Sequence, residues 1–380
     1  MIKVLINCPS WHIGKNTDID LQRKMTCLEH SFTDISLVYP QSKLLSLAPN
    51  ILKVISFLKR KCGLIKAKSE SKVGWSLRVQ PLYNEMEMLS SEFDIIYSQG
   101  ILPQRSLGRP LLLDLYVMKP EDVYVNPSKQ AEERFNALMT QVEKLAQYPG
   151  IYNLRSDYAI GLVKDRVKDN AWKFRNLPFL LPQLTPLSVE EITRKHENTE
   201  TLELLFCGAQ SVRKGLPLLL EAFLNAKHKT QKRCRLHIIS SMSDGKVTIP
   251  DDDDIVLHGE MSHDDTMALF RQSHIYIMPS HFESFGLTYL EAMANGMIVI
   301  ARDFEPQREI LDYGECGFLT PIDVKSLTDI ITDVITMDDD CRTVMALKAV
   351  DRFKKKYSYE VVSEQWRKAI IDCASQNNNR

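Results

Sequence analysis

Residues 279–296 read PSHFESFGLTYLEAMANG and follow directly on the strand-like run IYIM at 275–278. An unbroken apolar run of that length suits a strand buried on both faces. LTYLEAMAN is a good helix former, and Gly296 closes it. Between the two lies a short polar turn with Glu283, Ser284 and Gly286. Strand, tight turn and helix start in that order make an anion site, because unpaired N–H groups and the positive end of the dipole face the ligand together. Gly286 lets a phosphate approach the backbone where a side chain would obstruct it. Glu283 would repel a bare diphosphate, so the chemistry that suits it is acceptance of hydrogen bonds from neutral sugar hydroxyls. Glu291, eight positions on, suits a ribose diol in the same way. Two glutamates alone would equally suit a helix cap and a solvated surface position, and the string around them decides between the readings.

That string resembles the E-x7-E signature of retaining glycosyltransferases, particularly family 4, in the form PSxxExFGLxxLEAMAxG. The resemblance implies that Glu283 contacts a donor sugar. It implies that the amides of Leu287 and Thr288, with Gly286, hold a diphosphate and that Glu291 binds the ribose. Ser284 and Phe285 complete this donor-binding turn.

Working outward, residues 202–224 read LELLFCGAQSVRKGLPLLLEAFL: a strand, a loop with two basic residues, and a helix with Pro217 in its first turn, where proline is tolerated. Arg213 and Lys214 then stand beyond the carboxyl end of a strand, where open α/β sheets bind ligands. An arginine fork and a lysine point charge suit a diphosphate leaving group, although a lone Arg-Lys pair is usually just surface charge. The block resembles the family's G-R-x4-KG phosphate loop, with Gly208 as its first glycine. It departs from the pattern in having Ala209 where arginine is frequent, and Arg213 is read as supplying that charge. IVLHGEMSH at 255–263 resembles the strand-then-G-x-V/L segment whose backbone reads the nucleotide base, which points to Gly259 and Met261. Glu309 in PQREILDYGECGF matches the glutamate of the PE-x-I-x4-G-x-G element and is expected to brace the donor site, or else to serve as a helix-start carboxylate.

Short Val/Ile/Leu runs alternate with helical patterns along most of the chain, which implies parallel sheets with helical crossovers, and the pattern occurs twice. The expected fold class is α/β, of GT-B type by resemblance: two Rossmann-like domains facing across a cleft. The expected division is an acceptor-binding domain over 1–182, a linker over 183–200, a nucleotide-sugar-binding domain over 201–357, and a C-terminal helix over 358–375 that crosses back to the first domain. The linker expectation rests on Pro178, Pro182 and Pro186 followed by the polar run 190–200.

The N-terminal half carries fewer signals. CPSWHIGKN at 8–16 stands where the family commonly has a Gly-Gly pair; only Gly14 is present, and His12 shares its loop. No GxGxxG follows the first strand, which argues against a nicotinamide dehydrogenase. SEFDIIYSQG places Gln99 where the family often has histidine, and RPLLLDLYVMKPED places Asp114 at a strand end. His12, Gly14, Gln99 and Asp114 are the expected acceptor and cleft residues, with burial on backbone amides the other reading of Asp114. Seven basic residues but only Glu70 as an acid fall within 51–72, interleaved at first with apolar ones. Such a stretch suits a solvated helix and loop, or peripheral contact with anionic membrane at ~1 kcal/mol per surface charge. Co-sedimentation with anionic liposomes at low salt checks the membrane reading; protein left in the supernatant contradicts it.

The net charge of −1 gives no global drive towards nucleic acid, and 44% hydrophobic with 26% charged residues is ordinary globular composition. Eight scattered cysteines without a CxxC pair suit reduced thiols. With no cleavable leader pattern at MIKVLIN and no long apolar span, a cytoplasmic protein is expected. The acidic runs 251–254 and 338–340 suit solvated loops rather than a metal site. By resemblance, the substrates are a nucleotide-diphospho-sugar donor and a glycan or lipid-linked acceptor. No cofactor or obligatory metal is expected, because cations and helix dipoles neutralise the leaving group. A sugar-nucleotide 2-epimerase and a non-catalytic sugar-nucleotide-binding subunit are the alternatives.

Overall fold

A computed structural model of the chain describes residues 1–7, 32, 34–38, 93–99, 106–115, 117, 119, 128–181, 184–197, 199–230, 232–283 and 285–377. His12, Gly14, Ser284 and the basic stretch 51–72 lie outside the described residues. The chain divides into two compact units. One draws on Met1–Pro120, Asn126–Leu181 and Val362–Arg380, and the other centres on Pro182–Val361.

The first unit holds a parallel sheet of β1 (Ile2–Asn7), β2 (Ile35–Val38), β3 (Ile95–Gln99), β4 (Leu111–Asp114), β5 (Gly150–Asn153) and β6 (Phe174–Arg175), in the order β2-β1-β3-β4-β5-β6. β4 and β5 are buried along their whole length, as their continuous apolar runs require. Helices α1 (Lys129–Ala146) and α2 (Asp157–Val167) begin on Ser128 and Ser156, whose hydroxyls accept the amides of Ala131 and Ala159. Met139, Val142, Leu145 and Val163 join Leu111, Leu113 and Tyr152 in one core. The chain order reverses between β1 and β3, which makes that step this sheet's switch point. Gln99 ends β3 there, and its buried Oε1 has no hydrogen-bond partner among the described residues.

Asp114, expected at a cleft, is instead fully buried. Its carboxylate accepts hydrogen bonds from Tyr97 Oη (2.7 Å), Asn153 Nδ2 (2.8 Å) and Arg155 Nη2 (2.9 Å). Arg155 has a left-handed φ of 63° and lies over the Phe179 ring at 3.9 Å. Asn153 Oδ1 accepts the amides of Arg155 and Leu177, which ties the chain's exit from the sheet into the same network. The last helix, Tyr359–Ser375, packs here too. Trp366 Nε1 donates to Pro178 O at 2.9 Å, its ring meets Tyr97 edge-on, and Asp372 pairs with Arg175.

The second unit's sheet comprises β7 (Thr201–Cys207), β8 (Arg233–Ile239), β9 (Ile255–Gly259), β10 (Ile275–Met278), β11 (Ile298–Arg302) and β12 (Phe318–Thr320), all parallel. Its order is β12-β11-β10-β7-β8-β9, which is the doubly wound Rossmann arrangement, with the reversal between β7 and β10. β6 and β12 carry no distinct sequence signal because they are two and three residues long. The polar run at 190–200 is not the solvated linker expected of it. Ser188 and Glu191 form a capping box that starts α3 (Val189–His196). Ile192 on its inner face packs with Leu187, Ala346 and Val350. The charges that suggested a linker are this helix's outer face.

α3 also buries His196 against His274, with the rings edge-on at 5.7 Å. His196 Nε2 lies 2.8 Å from Gly296 O, and His274 Nδ1 accepts the Glu203 amide at 3.0 Å. Burial, reinforced by nearby Lys195 and Arg342, pushes the two imidazoles down to about 4 and about 3. Both are therefore neutral in the fold at pH 6, while the unfolded chain begins to protonate them near 6.5. Stability held by this pair is complete above 6.5 and falls as pH drops towards 4, by up to about 1.4 kcal/mol per pH unit for each imidazole. A His274→Gln variant is expected to flatten the dependence of unfolding midpoint on pH between 6.5 and 4.5. An unchanged slope would contradict this origin.

Candidate functional site

The two motifs that carried the sequence reading occupy the loops after β7 and β10, on either side of the switch point. Gly215 ends the first loop and precedes α4 (Leu216–Lys229); Gly286 ends the second and precedes α6 (Leu287–Ala294). α5 (His263–Gln272) runs between β9 and β10. Both glycines are left-handed N-caps (φ 81° and 96°), and neither helix has a side-chain cap. By contrast, Ser188 caps α3 and Ser262 caps α5. A Cβ on Gly215 would collide with the Pro279 carbonyl, and one on Gly286 with the Tyr289 ring, so each position requires glycine for space as well as for φ. The amides of Leu287 and Thr288 have no hydrogen-bond partner among the described residues, which leaves them open to an anion.

Glu283 lies between these loops, only 4% exposed. Its Oε1 pairs with Lys214 Nζ, accepts Ser280 Oγ at 2.8 Å and stands 3.7 Å from Arg213 Nη1. No bond reaches Oε2 from any described residue. Arg213 donates to Phe282 O, and its own carbonyl accepts the His281 amide at 2.9 Å, so the loops are also joined through the backbone. The Lys214 stem crosses Gly208: a Cβ on that glycine would meet Lys214 Cγ at 3.0 Å. Cys207, just before it, has its thiol pushed up to about 12, first by burial and then by the Glu291 carboxylate; Lys214 acts in the opposite direction. Glu291 itself lies in the second turn of α6, the helix that starts after Gly286.

Gly208, Arg213, Lys214, Glu283, Gly286, Leu287, Thr288 and Glu291 thus gather at one end of the sheet. Phe285 is buried there and meets the Tyr357 ring edge-on. Glu309, in the short helix Gln307–Ile310 after β11, is 5% exposed and ion-paired with Lys356 at 3.0 Å. Its carbonyl accepts Arg352 Nη2, so Glu309 ties the start of that helix to the long helix Asp339–Lys356. Gly259 (φ 71°) ends the edge strand β9 and Met261 lies two residues beyond it; Gly259 O accepts the Ser240 amide, which links this strand end to the loop after β8.

Two residues without a sequence signal shape the site. Ser280 was visible only as one letter of the motif, yet it fixes the Glu283 carboxylate. Asp244, in the loop after β8, accepts the amides of Val212 (3.2 Å) and Arg213 (2.8 Å). Burial alone would raise its pKa, but those amide bonds, with the nearby Arg213 charge, outweigh burial and hold it below the usual carboxylate range. The acidic runs have other work: Asp252 and Asp254 pair with Lys227, and Asp338 caps the helix that begins at Asp339. Among the described residues no cluster of three or more metal-ligating side chains occurs, and no helix is long and apolar enough to cross a membrane.

The two parallel sheets with their helices are the GT-B fold, shared along the whole chain with solved structures. Sucrose-phosphate synthase from Thermosynechococcus elongatus covers 97% of this chain and 98% of its own, with a TM-score of 0.62 and 14% identity. HepE of Anabaena, solved with UDP and glucose, covers 98% and 100%, with a TM-score of 0.60 and 15% identity. Residues 188–349 match the model of the family described as Glycosyl transferases group 1. Among curated relatives, a sucrose synthase of Melioribacter roseus is 32% identical over 95 residues, 24% of this chain. A phosphatidyl-myo-inositol mannosyltransferase of Mycolicibacterium smegmatis is 32% identical over 109 residues, 28% of this chain. These matches span only 12% and 28% of the relatives' own lengths.

Proposed function

We propose that the protein is a retaining glycosyltransferase that moves a sugar from a nucleotide-diphospho-sugar to a hydroxyl of a glycan or lipid-linked acceptor. The observation that carries this reading is the Lys214–Glu283 pair at the β7/β10 switch point, beside the open amides of Leu287 and Thr288. A diphosphate at those amides would have Lys214 and Arg213 within reach, and negative charge building on it as the glycosidic bond breaks would meet fixed donors. Glu283 Oε2 then accepts from a hydroxyl of the donor sugar, and Glu291 takes the ribose. Glu283 is engaged by cations, which suits attack by the acceptor on the face the diphosphate leaves rather than by a protein nucleophile. The first unit holds the acceptor, with Gln99 at the end of β3 as the described contact. The protein works in the cytoplasm, meeting a lipid-linked acceptor at the membrane surface.

Thermal shift and nucleotide release across a panel of UDP-, GDP- and ADP-sugars test this. Stabilisation by one donor, with release of its nucleoside diphosphate when cell-extract acceptor is added, is the expected result. Donor loss with no acceptor and no nucleotide released would mark an epimerase, and binding without any turnover a non-catalytic subunit. Because Arg213, Lys214 and helix amides neutralise the leaving group, EDTA is expected to leave the release rate within about twofold of its value in buffer. A large loss restored by a divalent ion would contradict that mechanism.

A further inference from the structure

We propose that Asp244 is a positioning residue for the phosphate-binding loop, fixing the Val212–Arg213 turn so that Arg213 and Lys214 face the diphosphate. The inference deepens the donor site proposed above and rests on it. The loop from Gly208 to Lys214 must project two cations from the end of β7, yet Ala209 gives it no side chain with which to brace itself. The bracing comes from the loop after β8. Asp244 divides its two oxygens between two successive amides, Oδ1 to Val212 and Oδ2 to Arg213. Ser243 adds two more bonds, its amide (2.9 Å) and hydroxyl (3.1 Å) both donating to Ala209 O. With its N–H held by Asp244 and its C=O by the His281 amide, the Arg213 peptide is pinned from both sides.

Two consequences follow from this geometry. The Val212 and Arg213 amides are engaged, so these two do not meet the diphosphate, and the side-chain cations and the α6 amides are left to do so. A carboxylate also does what an amide side chain cannot, because two acceptor oxygens are needed at once and Asn supplies one.

The test compares wild type, Asp244→Ala and Asp244→Asn by calorimetric titration with UDP, GDP and ADP and with the matching monophosphates. For the diphosphate that binds wild type, Asp244→Ala is expected to weaken binding about tenfold and Asp244→Asn by about threefold. The corresponding monophosphate should change by less than about twofold, because the loss is confined to the terminal phosphate. General damage would weaken both ligands alike, and that result would overturn the proposal. Equal or tighter diphosphate binding by Asp244→Ala would also overturn it, by showing that the carboxylate occupies the turn as a rival anion. Should Asp244→Ala not fold, the Asn variant carries the same comparison. If wild type bound none of the diphosphates, the donor-site reading itself would fall, a result distinct from either of these.

Discussion

Lys214→Ala is expected to lower donor-dependent nucleotide release by about 10²–10³-fold, equivalent to roughly 2.7–4 kcal/mol of transition-state stabilisation. Lys214 pairs with Glu283, and Arg213, the other cation beside that carboxylate among the described residues, already donates to Phe282 O. Nucleoside diphosphate affinity should fall with the rate, since the lysine meets the phosphate in ground and transition states alike. Glu283→Gln should separate the two effects. It keeps an oxygen for Ser280 but releases Lys214 from its carboxylate, so diphosphate binding is expected to hold or tighten while release from the sugar donor still falls by about a hundredfold. Lys214→Arg is not a conservative rescue, because a planar guanidinium fork does not reproduce the point charge that Lys214 Nζ sets against Glu283 Oε1. A Lys214→Ala variant with more than a tenth of wild-type release would contradict the assignment.

Asp114→Ala is expected to destabilise the first unit by about 3–5 kcal/mol, the range for breaking a buried pair and leaving one charge uncompensated. Arg155, 1% exposed, would lose its carboxylate, and Tyr97 and Asn153 would each lose an acceptor. Arg155 also holds a left-handed backbone that costs about 1–3 kcal/mol, so part of what offsets that strain is removed with the pair. Hydrogen exchange of peptides covering β3, β4 and β5 checks this: protection there should fall while β7 and β10 keep theirs. Asp114→Asn combined with Arg155→Met should recover part of the loss, because the unpaired charge is then gone. A change below about 1 kcal/mol in Asp114→Ala would mean that the network carries little of the unit's stability.

The second unit was more legible from its residues than the first. Glu283 to Glu291 is one turn and one helix, contiguous in sequence, whereas the tie from Lys214 to Glu283 across 69 residues was legible only through the resemblance of both segments to one family's motifs. Strand positions were readable in both units because a parallel strand buried on both faces writes a continuous apolar run, as β4 and β10 do. Legibility failed where a residue's role depends on a partner distant in sequence. Asp114 looked like a ligand group at a strand end, and only the fold shows Arg155 filling it. Asp244 lies 31 residues beyond the amide it holds, with no periodicity to connect them. The segment at 190–200 reads as polar because a short amphipathic helix with one buried face has mostly charged letters, and only the capping box of Ser188 and Glu191 marks its start.

The most direct measurement is a crystal structure of the protein with the nucleoside diphosphate that stabilises it. The account predicts the terminal phosphate at the Leu287 and Thr288 amides, with Lys214 Nζ in hydrogen-bond range and the ribose at Glu291. A diphosphate bound elsewhere, with the Lys214–Glu283 pair unaltered and the first turn of α6 unoccupied, would contradict it.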